Sequence, residues 1–232
     1  MATVTGPQAA RAGTSTRVPA YRFGFVLLVL LATFIFLASG PTGDWVPLVA
    51  VVLQSATLFA AFAASGVGRG LWRLALVVVL AALVSASVAI FAGGKEANTA
   101  LFLLSVLLVG AAPVVIINSL VRRRVIDLRT VLGAICVYVL IGMMWSFAFA
   151  AAGTLDPEPF FAQQSHATVA DYMYFSFVTI TTTGYGDLTA ARGFGRAMAV
   201  LEALIGQLYL VTVIALLVSN LGRRGRVRDE QP

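Results

Sequence analysis

The stretch Thr181-Thr182-Thr183-Gly184-Tyr185-Gly186-Asp187 decides how this chain is read. Two glycines one residue apart give φ > 0 at low steric cost, so Gly184 and Gly186 are expected to hold a backbone that other residues resist. Just before them, Val169 to Thr181 has helical length, with Thr168 as a candidate cap and Asp171 in the first turn. A bilayer takes about 20 residues to cross, so this helix is too short to span. It is expected to dip into the membrane and return, shielded by protein.

The chain around it is written for a membrane. Of 232 residues, 59% are hydrophobic and 11% charged, and the mean hydropathy is +0.93, all far from a soluble average. Six nearly uncharged runs are each long enough to cross: Phe23 to Ser39, Val46 to Gly68, Leu74 to Gly93, Ala97 to Val121, Val131 to Gly153 and Ala197 to Leu221. Little chain is left for a soluble catalytic or ligand-sensing module. The first run lacks an obvious cleavage site and reads as a retained span.

The net charge of +6 is explained by membrane orientation, so nucleic acid is not an expected partner. With the amino terminus inside, only Lys95, Arg192 and Arg196 of the 16 Lys and Arg fall outside, as the preference of basic loops for the cytoplasm requires. Both termini are therefore expected in the cytoplasm. Tyr21, Trp45 and Trp72 stand at span ends, where amphipathic rings settle at the headgroups. Cys136, the single cysteine, has no partner for an intrachain disulfide.

The stretch Thr182 to Asp187 resembles the selectivity filter of potassium channels. Ser176-Phe177-Val178-Thr179-Ile180 precedes it as a pore helix would, and a long apolar helix follows. The resemblance is confined to about Val131 through Leu221. It implies an all-α membrane protein of six transmembrane helices, with a re-entrant pore helix and selectivity filter between the fifth and sixth. The expected organisation is a cytoplasmic tail at 1–22, four helices at 23–121, a basic linker at 122–130, a pore domain at 131–221 and a basic cytoplasmic tail at 222–232. Only eleven residues follow Leu221, so no regulatory domain is expected there.

What the resemblance implies chemically is a ring of carbonyls, contributed by four chains, that replaces the water shell of K+. K+ would be held at Thr182, Thr183, Gly184 and Tyr185, with Gly186 completing the filter. Thr182 would offer both its carbonyl and its hydroxyl at the inner end, and Tyr185 would pack against the pore helix as a spacer. The carbonyl end of the pore helix macrodipole would favour a cation in the cavity. Thr183 stands where the family usually has valine or isoleucine, which adds a hydroxyl behind the filter and keeps weak selectivity open. Tyr174 stands where the family often has an indole donor, and its phenol is expected to hold Asp187.

Further residues follow on the sixth span. Gly206, nineteen residues after Asp187, reads either as a gating hinge or as a close-packing site. Gln207, Leu210, Ile214 and Val218 form a stripe at helical spacing that either lines the pore or faces the core or lipid. Glu202, an acidic residue well inside a span, is expected to support the filter by bonding a pore-helix hydroxyl such as that of Thr179.

The first four spans match those of voltage-gated relatives only in number. Leu101 to Leu120 carries no arginine, and Arg122, Arg123 and Arg124 stand consecutively after it. They are expected to bind anionic lipid. Voltage insensitivity is the expectation. His166 reads as a solvated loop residue.

The resulting functional expectation is a potassium-selective channel subunit that conducts K+ passively as a homotetramer, with no cofactor beyond the permeant ion. A weakly selective cation channel, a potassium transporter and a non-conducting regulatory subunit are the competing readings. No internal repeat supports a transporter. One His, one Cys and scattered carboxylates form no recognisable catalytic constellation, so an enzyme is not expected. The plentiful arginine and alanine point to a bacterium with GC-rich DNA and to its inner, plasma membrane.

Overall fold

A computed structural model describes residues 21–43, 45–65, 68–91, 94–121 and 128–229. The described residues form seven helices: α1 (Tyr21–Ala38), α2 (Val46–Ser65), α3 (Arg69–Phe91), α4 (Lys95–Val121), α5 (Leu128–Leu155), α6 (Val169–Ile180) and α7 (Gly193–Asp229). No strand is named among them, and a lone antiparallel bridge joins Phe161 to Ala190.

Apolar residues on every face explain why the long helices suit lipid. Along α1, Phe23, Val26, Leu30 and Leu37 are buried at helical spacing, while Phe25, Leu28 and Ile35 point outward and stay apolar. A helix hydrophobic all round belongs inside a membrane or a large core. Two hydroxyls of α2 are satisfied locally, Ser55 donating to Val51 O at 2.6 Å and Thr57 to Leu53 O at 2.9 Å. Such back-bonding removes the cost of a bare polar group in an apolar setting.

Five helices, α2, α3, α4, α5 and α7, are long and apolar enough to cross a membrane. The first expected span is shorter, with an apolar stretch of Phe23–Ala38. Its whole helix of 18 residues rises about 27 Å at about 1.5 Å per residue, against a hydrocarbon core of about 30 Å. At the other end, α7 continues as helix to Asp229, past the expected boundary at Leu221.

Two layers of contact place the short helix. Helix α2 packs against α1, α3 and α4, α1 and α4 pack onto α5, and α6 is held between α1, α5 and α7. Thr99 on α4 donates to Thr154 on α5 at 2.8 Å. Below the outer loop, Phe149, Phe161, Tyr172 and Phe175 are buried with Ala190. Edge-to-face pairs, Phe149 with Phe175 at 5.0 Å and Phe161 with Phe175 at 5.3 Å, fix the outer half of α6, since such geometry adds about 0.5–1.5 kcal/mol per pair beyond burial.

Candidate functional site

α6 begins where the residue types demand it. Thr168 is extended at φ −89° and ψ 166°, its hydroxyl accepts from Asp171 N at 3.3 Å, and its own N–H donates to Asp171 Oδ2 at 2.7 Å. This reciprocal capping box satisfies two donors that the helix start would otherwise leave free. The helix ends at Ile180, and Thr181 caps it.

The chain then changes hand at every second residue. Thr182, Gly184 and Gly186 have φ of 57°, 58° and 82°, while Thr183 and Tyr185 between them are not in the positive region. The N–H groups of this run turn back onto α6: Thr182 N donates to Thr179 O at 2.9 Å, Thr183 N to Val178 O at 3.0 Å and Gly184 N to Val178 O at 3.2 Å. With these donors spent on the helix, no carbonyl oxygen from Thr182 to Gly186 accepts a hydrogen bond among the described residues. A run of unpaired acceptors on exposed backbone has the chemistry of a cation ligand.

The side chains behind the run are tied to α6. Thr181 donates its single hydroxyl proton to Phe177 O at 2.6 Å, so in the 2.9 Å contact between Thr181 and Thr183 the Thr183 hydroxyl is the donor. The extra hydroxyl at Thr183 thereby finds its partner. Tyr174 donates to Asp187 Oδ2 at 2.7 Å, and that bond pushes the Tyr174 phenol up to about 12. The Tyr185 ring lies 71% exposed and parallel to Tyr174, centroids 6.5 Å apart.

α7 reaches the same place from the other side. Glu202 is fully buried and accepts from the Ser176 hydroxyl, which also contacts Gly142 O at 2.7 Å on α5. The α6 hydroxyl that meets Glu202 is thus that of Ser176, one helical turn before Thr179, because Ser176 is the one turned into the α5–α7 seam. Gly206 packs against the end of α6: a Cβ there would stand 2.7 Å from Ile180 O. Tyr138 on α5 donates to that same carbonyl at 3.1 Å. Gln207 Nε2 donates to Thr182 Oγ1 at 3.2 Å. Leu210 is half-buried. Ile214 and Val218 belong to α7, but their side chains lie outside the described residues, as do Arg122, Arg123 and Arg124.

The outer end of the run is braced by the loop before α6. Ala162 N donates to Thr189 O at 3.0 Å and Ala191 N to Phe160 O at 2.8 Å. Gln163 clasps Thr189 twice, at 2.8 and 2.9 Å. Arg192 pairs with Asp156 at 3.1 Å and Glu158 at 3.6 Å. Sequence reasoning missed this brace, the left-handed Thr182 and the contacts of Tyr138 and Gln207. Only the matching polar types at Gln163 and Thr189 offered a signal. Among the described residues there is no group of three or more His, Cys, Asp or Glu side chains placed to hold a metal ion.

Long apolar helices thus surround a short capped helix and the carbonyl-bearing turn that follows it. Residues 134–223 match the family model described as ion channel. The match spans most of α5, α6, the carbonyl run and most of α7, and it supports an ion channel family with passive ion conduction as its activity. No curated protein matches the chain.

Proposed function

We propose that the chain is a potassium-selective channel subunit that conducts K+ passively through a filter of Thr182, Thr183, Gly184, Tyr185 and Gly186. The observation that carries this reading is the alternation of φ, 57°, 58° and 82° at Thr182, Gly184 and Gly186. A backbone that changes hand at alternate residues aims successive carbonyls to one side. Stacked rings of such oxygens replace the hydration shell of a dehydrated monovalent cation. The donor count at Thr183 supports selectivity rather than its loss, since the hydroxyl is engaged behind the run by Thr181.

The working unit is a homotetramer. One chain supplies one strand of carbonyls, and a closed ring takes four. Supporting this, only 11% of an 18-residue window within the Gly193–Val213 stretch of α7 is buried within its own chain, and Val200, Leu204, Leu208 and Val211 are exposed on it. A cleft of about 490 Å³ beside Val178, Thr179, Gly184 and Gly186 offers room for a side chain from a neighbouring copy.

The subunit has six spans, α1 to α5 and α7, with both termini cytoplasmic in the inner membrane of a bacterium. Residues 131–221 form its pore domain, and Arg122, Arg123 and Arg124 bind anionic lipid. Asp187, Tyr174 and Glu202 support the filter from outside the ion path. The contact at Ile180 makes Gly206 a packing site, favoured over a hinge because its missing Cβ admits the carbonyl. Voltage insensitivity follows from α4, where Leu101 to Leu120 is free of charge.

The test is ion flux in proteoliposomes loaded with K+. Protein-dependent K+ efflux is expected from these vesicles, with no comparable Na+ efflux from vesicles loaded with Na+ instead. Equal efflux of both ions would replace this reading with a weakly selective channel.

A further inference from the structure

Thr182 is the strained residue of the site. A β-branched side chain at φ 57° is an outlier that persists only where its surroundings hold it. Its backbone N–H is held by Thr179 O at 2.9 Å, which fixes one side of the residue. The other side is held from α7, where Gln207 Nε2 donates to Thr182 Oγ1 at 3.2 Å.

That reach depends on a chain of contacts at the end of α6. Gly206 lets α7 approach until a Cβ would stand 2.7 Å from Ile180 O. The same carbonyl accepts from Tyr138 of α5 at 3.1 Å, so it is fixed from two helices. Tyr138 stacks on Tyr209 at 5.9 Å, and Tyr209 donates to Ala134 O at 2.7 Å, locking α7 to α5 two residues beyond Gln207. The amide of Gln207 is thus delivered to Thr182 by a rigid frame.

We infer that Gln207 is a positioning residue of the filter, acting through Thr182 to set the ligand field of the innermost cation. A hydroxyl has one proton and two lone pairs. By donating to Thr182 Oγ1, Gln207 occupies one lone pair and leaves the other for the ion. Without that bond, Thr182 Oγ1 turns to water and the left-handed backbone loses a restraint, so the innermost site binds its ion less well. The inference rests on the channel reading above.

The experiment compares wild-type oligomer with Gln207→Met, which keeps length and loses the amide. Potassium binding to the detergent-solubilised protein in Na+ buffer is followed by calorimetry. Block by Ba2+, close to K+ in radius and doubly charged, is recorded from the cytoplasmic side in bilayers. A roughly tenfold loss of K+ affinity and a matching weakening of Ba2+ block are expected, with outward and inward currents still reversing at the K+ potential. Affinity and block within twofold of wild type would overturn the inference and leave the channel reading intact. Wild-type protein that binds no K+ would instead overturn the channel reading. If Gln207→Met does not assemble, Gln207→Asn, one methylene too short to reach Thr182, must give the same tenfold loss. Failure of both variants to assemble makes Gln207 a folding residue and also overturns the inference.

Discussion

The phenol of Tyr174 donates a 2.7 Å hydrogen bond to Oδ2 of Asp187, linking the outward face of α6 to the outer end of the carbonyl run. The two residues are thirteen apart in sequence, and the run between them makes all of its backbone hydrogen bonds to the last turns of α6. The bond therefore closes a loop at its exposed end. Tyr174→Phe keeps the ring that stacks on Tyr185 and removes only this closure. Current through the variant is expected to decline several-fold faster during sustained opening. Identical time courses in wild type and variant would count against the restraint.

The pH dependence of the same bond has a definite sign. The bond to Asp187 raises the Tyr174 phenol to about 12 from 10.0, so its contribution is complete below about 10 and is lost as pH rises through about 12. Between pH 7 and 9 the phenol keeps its proton, and the rate of decline should not change on its account. A decline that accelerates between pH 7 and 9 in wild type, and does so no longer in Tyr174→Phe, would show the phenol ionising earlier than this.

Gly186 is at φ 82° with open space where a Cβ would stand, so the penalty on Gly186→Ala is backbone strain alone. A residue forced into the left-handed region costs about 1–2 kcal/mol. In an assembled tetramer that cost recurs in each copy, and potassium-selective current is expected to be lost. Current of unaltered selectivity from Gly186→Ala would remove Gly186 from the filter.

Glu202 is fully buried and meets the Ser176 hydroxyl, which itself touches Gly142 of α5. Glu202→Ala leaves a cavity and a hydroxyl with one partner fewer at the junction of three helices. A buried polar group deprived of its partner costs about 1–3 kcal/mol, so a lower thermal midpoint of the solubilised oligomer is expected. Glu202→Gln retains a polar head of the same size and should lose less. Equal midpoints for all three proteins would place Glu202 outside the packing of α5, α6 and α7.

Steep voltage gating needs charge that moves through the membrane field, each elementary charge contributing about 2.3 kcal/mol per 100 mV. The basic residues described on α3 and α4 are Arg69, Arg73 and Lys95, all near helix ends, and Leu101 to Leu120 carries none. Open probability is expected to change shallowly between about −100 and +100 mV, an interval set by that same unit. A slope of many charges per tetramer, lost on neutralising Arg122, Arg123 and Arg124, would contradict this.

Local signals were legible in the sequence, and long-range ones were not. Thr168 and Asp171 stand three apart and announced the start of α6, and Gly184 and Gly186 announced positive φ, because capping and glycine freedom act over a few residues. Five of the six expected spans were equally plain, since apolar length needs no partner to be recognised. Thr182 was hidden by its own chemistry: a β-branched residue argues against the left-handed region, and only the clamp from Thr179 and Gln207 reveals why it is there. Thr179 was the example hydroxyl expected for Glu202 and Ser176 is the one that meets it, because the choice depends on how α6 is rotated between α5 and α7. That rotation is set by the aromatic packing of Phe149, Phe161 and Phe175, drawn from three separate segments. The brace between Gln163 and Thr189 spans 26 residues, with the whole of α6 lying between its two ends.

The central claim is that Thr182 to Gly186 selects K+ by its backbone oxygens. Its most direct test is the reversal potential of purified protein in a planar bilayer with K+ on one side and an equal concentration of Na+ on the other. The account predicts a reversal strongly displaced toward the K+ equilibrium potential, and a shift toward zero in Gly186→Ala if any current remains. A wild-type reversal near zero under the same gradient would contradict it.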